Sequence, residues 1–425
     1  MNPLRSGRIY ERQAEVVLAL LDEARIAVQA GHPLDALLSR FYREHTEFGS
    51  RDRRLISGTA FSYFRWKGWL DRIAPDIRVA AVFAHLLDST ELHPAMAGLA
   101  TTCALSEAVM SPMGAMTLEE KAQSLREKTG HTLDANQLIP DWAGPLLPLP
   151  DPRILNAFQH SPPTWLRVKP DARAAMLAAL SDLKAEPMPH PVIRSAIAVT
   201  RGINLRSLPR AIRDQVDIQD LASQVTTLIC QPQPGQRWWD ACAGSGGKTL
   251  HLAELAGPSV SILATDIRPT ILESLERRLQ ETGTRTVTVA QWDGLKEAPP
   301  QEPFDGILLD APCSGIGTWH RNPDARWRLT AARVAELADI QGHLLRACAS
   351  RVKQGGVLVY ATCTLTPLEN DSIVTQFLAT TPEFQLDPFT NPMNRMPCPG
   401  KLQIMPWEGP CNGMFVARLK KEPVT

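Results

Sequence analysis

From about residue 221 the chain alternates between short runs rich in branched and aromatic residues and longer stretches with helical spacing. Arg237–Ala241 predicts a strand and Lys248–Leu255 a helix. Val260–Asp266 is a strand, Thr270–Gln280 a helix, and Thr286–Trp292 and Phe304–Asp310 are strands. Ala331–Val352 is a long helix, Gly356–Thr362 a strand, Val374–Ala379 part of a helix, and Gly413–Leu419 a last strand. A parallel pair of strands needs a crossover long enough to hold a helix, so this order predicts an α/β fold with a doubly wound, mostly parallel sheet. Such sheets bind ligands outside the carboxyl ends of their strands. Residues at those ends are therefore where chemistry is to be sought.

The first strand runs into Asp240-Ala241-Cys242-Ala243-Gly244-Ser245-Gly246-Gly247-Lys248-Thr249. Its glycines permit a tight turn, and the helix that follows offers free N–H groups to an anion. The spacing fits neither the Walker phosphate loop nor the strict dinucleotide fingerprint. The second strand ends in Asp266, where a carboxylate accepts from ribose hydroxyls, and the third in Asp293, which can take an amino group. Any one of these acids is equally a helix cap; three at successive strand ends fit an adenosine-bearing cofactor. The fourth strand ends in Asp310-Ala311-Pro312-Cys313-Ser314-Gly315 and the fifth in Tyr360-Ala361-Thr362-Cys363-Thr364, so two cysteines stand at the ends of strands expected to be neighbours.

The other cysteines are read as packing or surface residues, and at Cys242 the backbone matters more than the thiol. Eight cysteines in 425 residues, with no Cys-x-x-Cys pair, exclude a disulfide framework and make a zinc ribbon or other metal site unexpected. No signal-peptide pattern opens the chain and no run of 18 apolar residues crosses a membrane, so the cytoplasm is expected. Lys+Arg 45 against Asp+Glu 45 argues against a mainly electrostatic nucleic-acid coat, while leaving room for a local basic face.

Four segments are expected. Residues 1–140 read as helical: Leu34, Leu37, Leu38 and Phe41 share one helical face, and Ser50 is a candidate N-cap before Arg51-Asp52-Arg53-Arg54. Those arginines, with Arg65 and Lys67, are either a solvated helix start or a phosphate-contacting patch. Residues 141–163 carry prolines at 145, 148, 150, 152, 162 and 163, directly after Pro140, and are expected as a linker with short helical pieces. Residues 164–220 form a small α+β region carrying Arg194, Arg201, Arg206, Arg210 and Arg213, a solvated or an RNA-facing surface. Residues 221–425 are the sheet domain.

DACAGSGGKT (240–249), Asp266, Asp293, DAPCSGIGTWHRNPDARWR (310–328) and YATCTLTPLEN (360–370) resemble the RsmB/NOP family of RNA cytosine-5 methyltransferases, as does QDLASQ (219–224). GSRDRRLISGTAFSYFRWKGWL resembles the NusB-type helical RNA-binding domain of bacterial members. The chain departs from the family at Gly244-Ser245, where Ala-Pro is frequent, at Asn412-Gly413-Met414-Phe415, where the first and third residues differ, and at Ile212–Gln215, where a glycine-rich turn is common. The resemblance implies a Rossmann-like class I methyltransferase domain preceded by an all-helical NusB-like domain. It implies S-adenosyl-L-methionine as cofactor, held by Cys242, Ala243, Gly244, Ser245, Gly246, Gly247, Lys248, Asp266, Asp293 and Asp310.

It also implies catalysis by Cys363, the nucleophile, and Cys313, which assists release. Thr318–Arg328, with Trp319, His320, Arg321, Arg326 and Trp327, is either a stacking surface for flipped bases or, for Trp327, core. The expected partner is RNA, above all small-subunit ribosomal RNA, bound by a monomer without metal or membrane. Transfer RNA methylation, DNA cytosine-5 methylation through Cys313, and a non-catalytic ribosome-assembly factor are the alternatives.

Overall fold

A computed structural model describes residues 3–148, 151–200, 204–294 and 302–422. The chain forms two compact units: Met1–Ser161 together with Thr318–Ala331, and Pro162–Gly317 together with Ala332–Thr425. Arg201 and Pro150, singled out in the sequence, lie outside the described residues.

The first unit is helical. Its long elements are Pro3–Gln29, Leu34–Glu44, Ser50–Ile73, Ile77–Asp88, Pro94–Thr102 and Leu118–Thr129. Leu34, Leu37 and Leu38 are buried, as their spacing predicts. The helix expected from Ser50 is capped one residue earlier, at Gly49, whose N–H donates to Asp52 (3.0 Å). Gly68 is required where it stands, because a Cβ there would lie 1.6 Å from the carbonyl oxygen of Gln137. The basic patch dissolves in part: Arg65 is buried and paired with Asp88, and Arg53 donates to the Phe48 carbonyl (2.9 Å), while Arg51 and Arg54 stay exposed.

The proline-rich stretch holds the short helical piece expected of it. Asp151 caps a helix over Pro152–Phe158, proline sits in the first turn, where its missing N–H costs nothing, and Ile154, Leu155 and Phe158 are buried.

Thr318–Ala331 completes this unit. The Arg326 guanidinium, fully buried, donates to the carbonyls of Leu138 (2.9 Å), Phe158 (3.0 Å) and Trp319 (3.2 Å). Trp319 is fully buried beside Phe158 and Trp142. Trp327 donates its indole N–H to the Phe64 carbonyl (2.7 Å), and Asp324 accepts from the Leu34 N–H (3.1 Å) at the start of a helix. At Trp319 and Arg326 the expected stacking surface is therefore packing, both being fully buried, while Trp327, left open between stacking and core, is half-buried against the helical core.

The second unit holds two principal sheets. The small one comprises β1 (Thr164–Val168), β2 (Pro187–Pro189), β3 (Ala196–Val199) and β4 (Val216–Ile218), antiparallel in the order β2-β3-β1-β4. Leu166, Val168, Ile197 and Val199 pack with Met176 and Leu180 of the helix Arg173–Asp182.

The large sheet contains β5 (Arg237–Asp240), β6 (Ser261–Asp266), β7 (Val287–Gln291), β8 (Phe304–Asp310), β9 (Val352–Thr362) and β10 (Phe384–Leu386). After a two-stranded ribbon, β11 (Phe389–Thr390) with β12 (Pro397–Cys398), it is completed by β13 (Lys401–Ile404) and β14 (Met414–Lys421). The order is β10-β14-β9-β8-β5-β6-β7, with β13 also on β14. Pairs among β5 to β9 are parallel; β14 runs antiparallel to β9, β10 and β13. Trp238, Trp239, Leu263, Ile307, Leu308, Leu358 and Val359, all buried, are the near-continuous apolar runs of a sheet covered on both faces. After β5 the chain winds outward through β6 and β7, then returns to β8 on the other side. The order therefore reverses at β5, where ligands bind such sheets.

Candidate active site

The turn after β5 is built by glycine. Gly244 and Gly246 have φ of +54° and +85°, and a Cβ on Gly246 would lie 2.2 Å from Leu275. The Ala243 N–H donates to the Thr265 carbonyl (2.8 Å), and the Gly244 N–H to the Asp266 carboxylate (3.0 Å). The loop thereby folds over the end of β6 and into the helix Gly247–Ala256.

Asp266, nearly buried, also accepts from the Arg268 backbone N–H (3.0 Å) and guanidinium (2.9 and 3.0 Å). Burial pushes its carboxyl up, but these bonds outweigh burial and hold it below the usual carboxylate range. The Trp292 N–H donates to the Asp266 carbonyl (3.2 Å), which sets the half-buried Asp293 beside the same edge.

Asp240 lies beneath the turn. One carboxylate oxygen accepts from the Thr249 hydroxyl (2.7 Å); the other has no hydrogen-bond partner, and burial pushes the carboxyl up to about 7. Burial likewise pushes the Cys242 thiol well up, consistent with a residue that serves through its backbone. An orphaned carboxylate oxygen under the turn, an ionised Asp266 beside the open face of Gly244, and a helix start with free N–H groups suit a ligand bearing hydroxyl, amino and carboxylate groups.

Asp310 ends β8 and accepts from the Lys248 ammonium (2.6 Å). Burial works against that charge, but Asp310, the Cys363 sulfur and Asp240 together raise the lysine above its ordinary value. Asp310 pairs in register with Ala361 of β9. Cys313, three residues beyond Asp310, therefore meets Cys363, two beyond Ala361: their sulfurs are 3.3 Å apart and both are free. The Cys313 thiol is pushed well up by its hydrogen bond to Cys363, by burial, and by the charges of Cys363 and Glu369. The Gly317 N–H donates to the Cys363 carbonyl (3.0 Å) and the Gly413 N–H to the Gly317 carbonyl (2.8 Å). A Cβ on Gly317 would lie 2.0 Å from the Gly413 oxygen. The departure at Asn412–Phe415 thus keeps the residue on which close packing depends, Gly413.

The cofactor and catalytic candidates, Cys242–Lys248, Asp266, Asp293, Asp310, Cys313 and Cys363, all follow or end strands of the large sheet at its carboxyl side, whereas the basic and aromatic candidates at 51–67 and 319–327 belong to the helical unit. QDLASQ supports it from behind: Asp220 caps the helix Leu221–Cys230 and accepts from the Asn412 N–H (3.1 Å). Sequence reasoning missed Arg268, which occupies Asp266, and the fully buried Glu369 and Asn370, although both lie within YATCTLTPLEN. An acid following so many hydroxyl residues was the available signal. Among the described residues there is no cluster of His, Cys, Asp and Glu able to hold a metal, and no helix is long and apolar enough to cross a membrane.

Residues 227–420 match the family described as 16S rRNA methyltransferase RsmB/F. A protein of Synechocystis sp. described as probable ribosomal RNA small subunit methyltransferase B is 34% identical over 326 residues, 71% of either chain. Ribosomal RNA small subunit methyltransferase B of Salmonella paratyphi C is 36% identical over 299 residues, 68% of either chain. The solved structure of PH0851 superposes with a TM-score of 0.73 at 21% identity, covering 96% of this chain and 99% of that one, which speaks for the fold.

Proposed function

We propose, because the chain belongs to the RsmB/F family of 16S rRNA methyltransferases, that it methylates C5 of a cytosine in small-subunit ribosomal RNA through a transient bond from Cys363 to C6. It is an S-adenosylmethionine-dependent enzyme. The observation that carries the catalytic assignment is the pair of free sulfurs, 3.3 Å apart, at the strand ends beside Lys248 and Asp310.

S-adenosylmethionine, when bound, supplies an electrophilic methyl on a sulfonium. Asp266, once the exposed Arg268 guanidinium swings off it, would hold its ribose and Asp293 its adenine, and the Cys242–Lys248 turn with Asp310 would close around the remainder. Cytosine C5 is a weak nucleophile until C6 is saturated. Cys363 loses its proton to solvent and its sulfur adds to C6, which breaks the C5–C6 double bond and places the electron pair on C5, the atom that the bound donor would methylate. Lys248, whose ammonium interacts with that sulfur, supplies a positive charge beside the reacting group. Asp310 accepts from the N4 amino edge of the base. Cys313 assists the last step: the C5 proton passes to solvent, its electron pair re-forms the C5–C6 double bond, and the Cys363–C6 bonding pair returns to the Cys363 sulfur. The target base has to leave its stack to reach the sulfur.

The test uses a tritiated methyl donor, a 16S rRNA fragment and a matched DNA. Cys363→Ala is expected to abolish transfer to RNA while donor binding survives; full activity in that variant overturns the assignment. Cys313→Ala is expected to accumulate protein covalently bound to RNA on denaturing gels. Normal turnover without such an adduct removes the release role, and transfer to DNA that depends on Cys313 favours the DNA alternative.

A further inference from the structure

We propose that Glu369, with Asn370, is a positioning residue that sets the spacing and aim of the two cysteine sulfurs. This rests on the roles assigned above to Cys363 and Cys313.

The dipeptide ends YATCTLTPLEN, and both residues are buried. One Glu369 carboxylate oxygen accepts from the Ser314 N–H (2.8 Å) and the Gln341 amide (3.0 Å). The other accepts from the Ser314 hydroxyl (2.5 Å) and the Thr366 hydroxyl (2.8 Å). Ser314 directly follows Cys313, so both its backbone and its side chain are tied to this single group. The Ser314 and Thr364 hydroxyls lie 2.7 Å apart, and Thr364 directly follows Cys363.

Asn370 brackets Cys363 from both sides. Its carbonyl oxygen accepts from the Thr362 hydroxyl (2.6 Å), and its amide donates to the Thr364 carbonyl (3.2 Å) and to Gln403 (3.0 Å). The Tyr360 hydroxyl donates to the Glu369 carbonyl (2.6 Å), which pins the backbone of the clamp to β9.

A carboxylate is the acceptor-only side chain that satisfies four convergent donors on two oxygens. Burying such a polar cluster is costly unless every member is satisfied, and an apolar plug would hold two loops together at less cost. What the polar cluster adds is direction. Each hydrogen bond fixes an atom adjacent to a cysteine, where a displacement of about 1 Å can cost about a hundredfold in rate.

Two readouts separate aim from mere stability: the kcat against KM split, and the rate at which diamide joins Cys313 to Cys363. In that reaction two thiols each lose a hydrogen, an S–S bond forms, and the diazene is reduced to a hydrazine. Glu369→Ala is expected to lower kcat about a hundredfold with KM for a 16S rRNA fragment little changed, and to slow disulfide formation at least about tenfold. Glu369→Gln is expected to recover most of both, since its carbonyl faces the N–H donors and its amide meets hydroxyls that can turn to accept. Ser314→Ala, which removes one donor and leaves the fold, is expected to lose about tenfold in each. A folded Glu369→Ala, or Ser314→Ala, with wild-type kcat and wild-type disulfide rate overturns the proposal. Should the wild type transfer no methyl to RNA, the cysteine roles fall, while the disulfide rates still read the clamp.

Discussion

Residues 310–317 and 318–328 are one unbroken run of sequence with opposite fates. The first part ends β8 and carries Asp310 and Cys313; the second is packed into the helical unit. Two cations, Arg326 fully buried and Lys248 half-buried, make the contrast concrete. Arg326 donates to four backbone carbonyls, those of Arg65, Leu138, Phe158 and Trp319, and burial together with the nearby Arg65 brings it down to about 9, still charged at neutral pH. Lys248 faces a carboxylate and a sulfur. A guanidinium spent on carbonyls is a rivet, because its planar fork fits fixed acceptors and has nothing to exchange. An ammonium facing groups that change charge remains usable for chemistry.

Removing one partner from each half is expected to separate the two kinds of cation. Arg326→Ala leaves several buried carbonyls unsatisfied and is expected to cost about 3–5 kcal/mol in urea unfolding. Asp310→Asn is expected to cost on the order of 1 kcal/mol in the same measurement, yet to lower methyl transfer about a hundredfold. Equal losses of stability in the two variants would erase the distinction.

Trp327→Phe tests the second half directly. Loss of its bond to Phe64 is expected to cost about 1 kcal/mol, with RNA affinity unchanged. A drop in RNA affinity equivalent to about 1–3 kcal/mol would restore Trp327 as a stacking surface.

The smallest effect concerns pH and sharpens the sheet side. Burial raises the Asp240 carboxyl to about 7, so the unfolded chain ionises it first. Its contribution to stability is complete below the ordinary carboxylate range and is lost as pH rises through the folded value. Asp240→Asn does not titrate, so its stability relative to the wild type is expected to rise between about pH 4 and pH 8 and then level off. A flat difference in urea midpoints across that range would remove the orphaned carboxyl from the description.

Local patterning made the sheet legible. β8 lies where its apolar run predicts, and β5, β6 and β9 end within a residue of expectation, because strand length and turn chemistry are written in neighbouring residues. The strands β10 and β13 were not legible: three or four residues of mixed polarity acquire their role from pairing with β14. Arg268 was equally hidden, since nothing next to it announces that it folds back on Asp266.

The sequence alone determined that a parallel sheet would gather Asp266, Asp310, Cys313 and Cys363 at one edge, since alternation and right-handed crossovers leave the strand ends few places to go. Only the tertiary structure decided which charged and aromatic residues face the site and which are consumed as packing. Burial depends on partners distant in sequence, as Arg326 on Leu138 and Phe158, and Glu369 on Ser314.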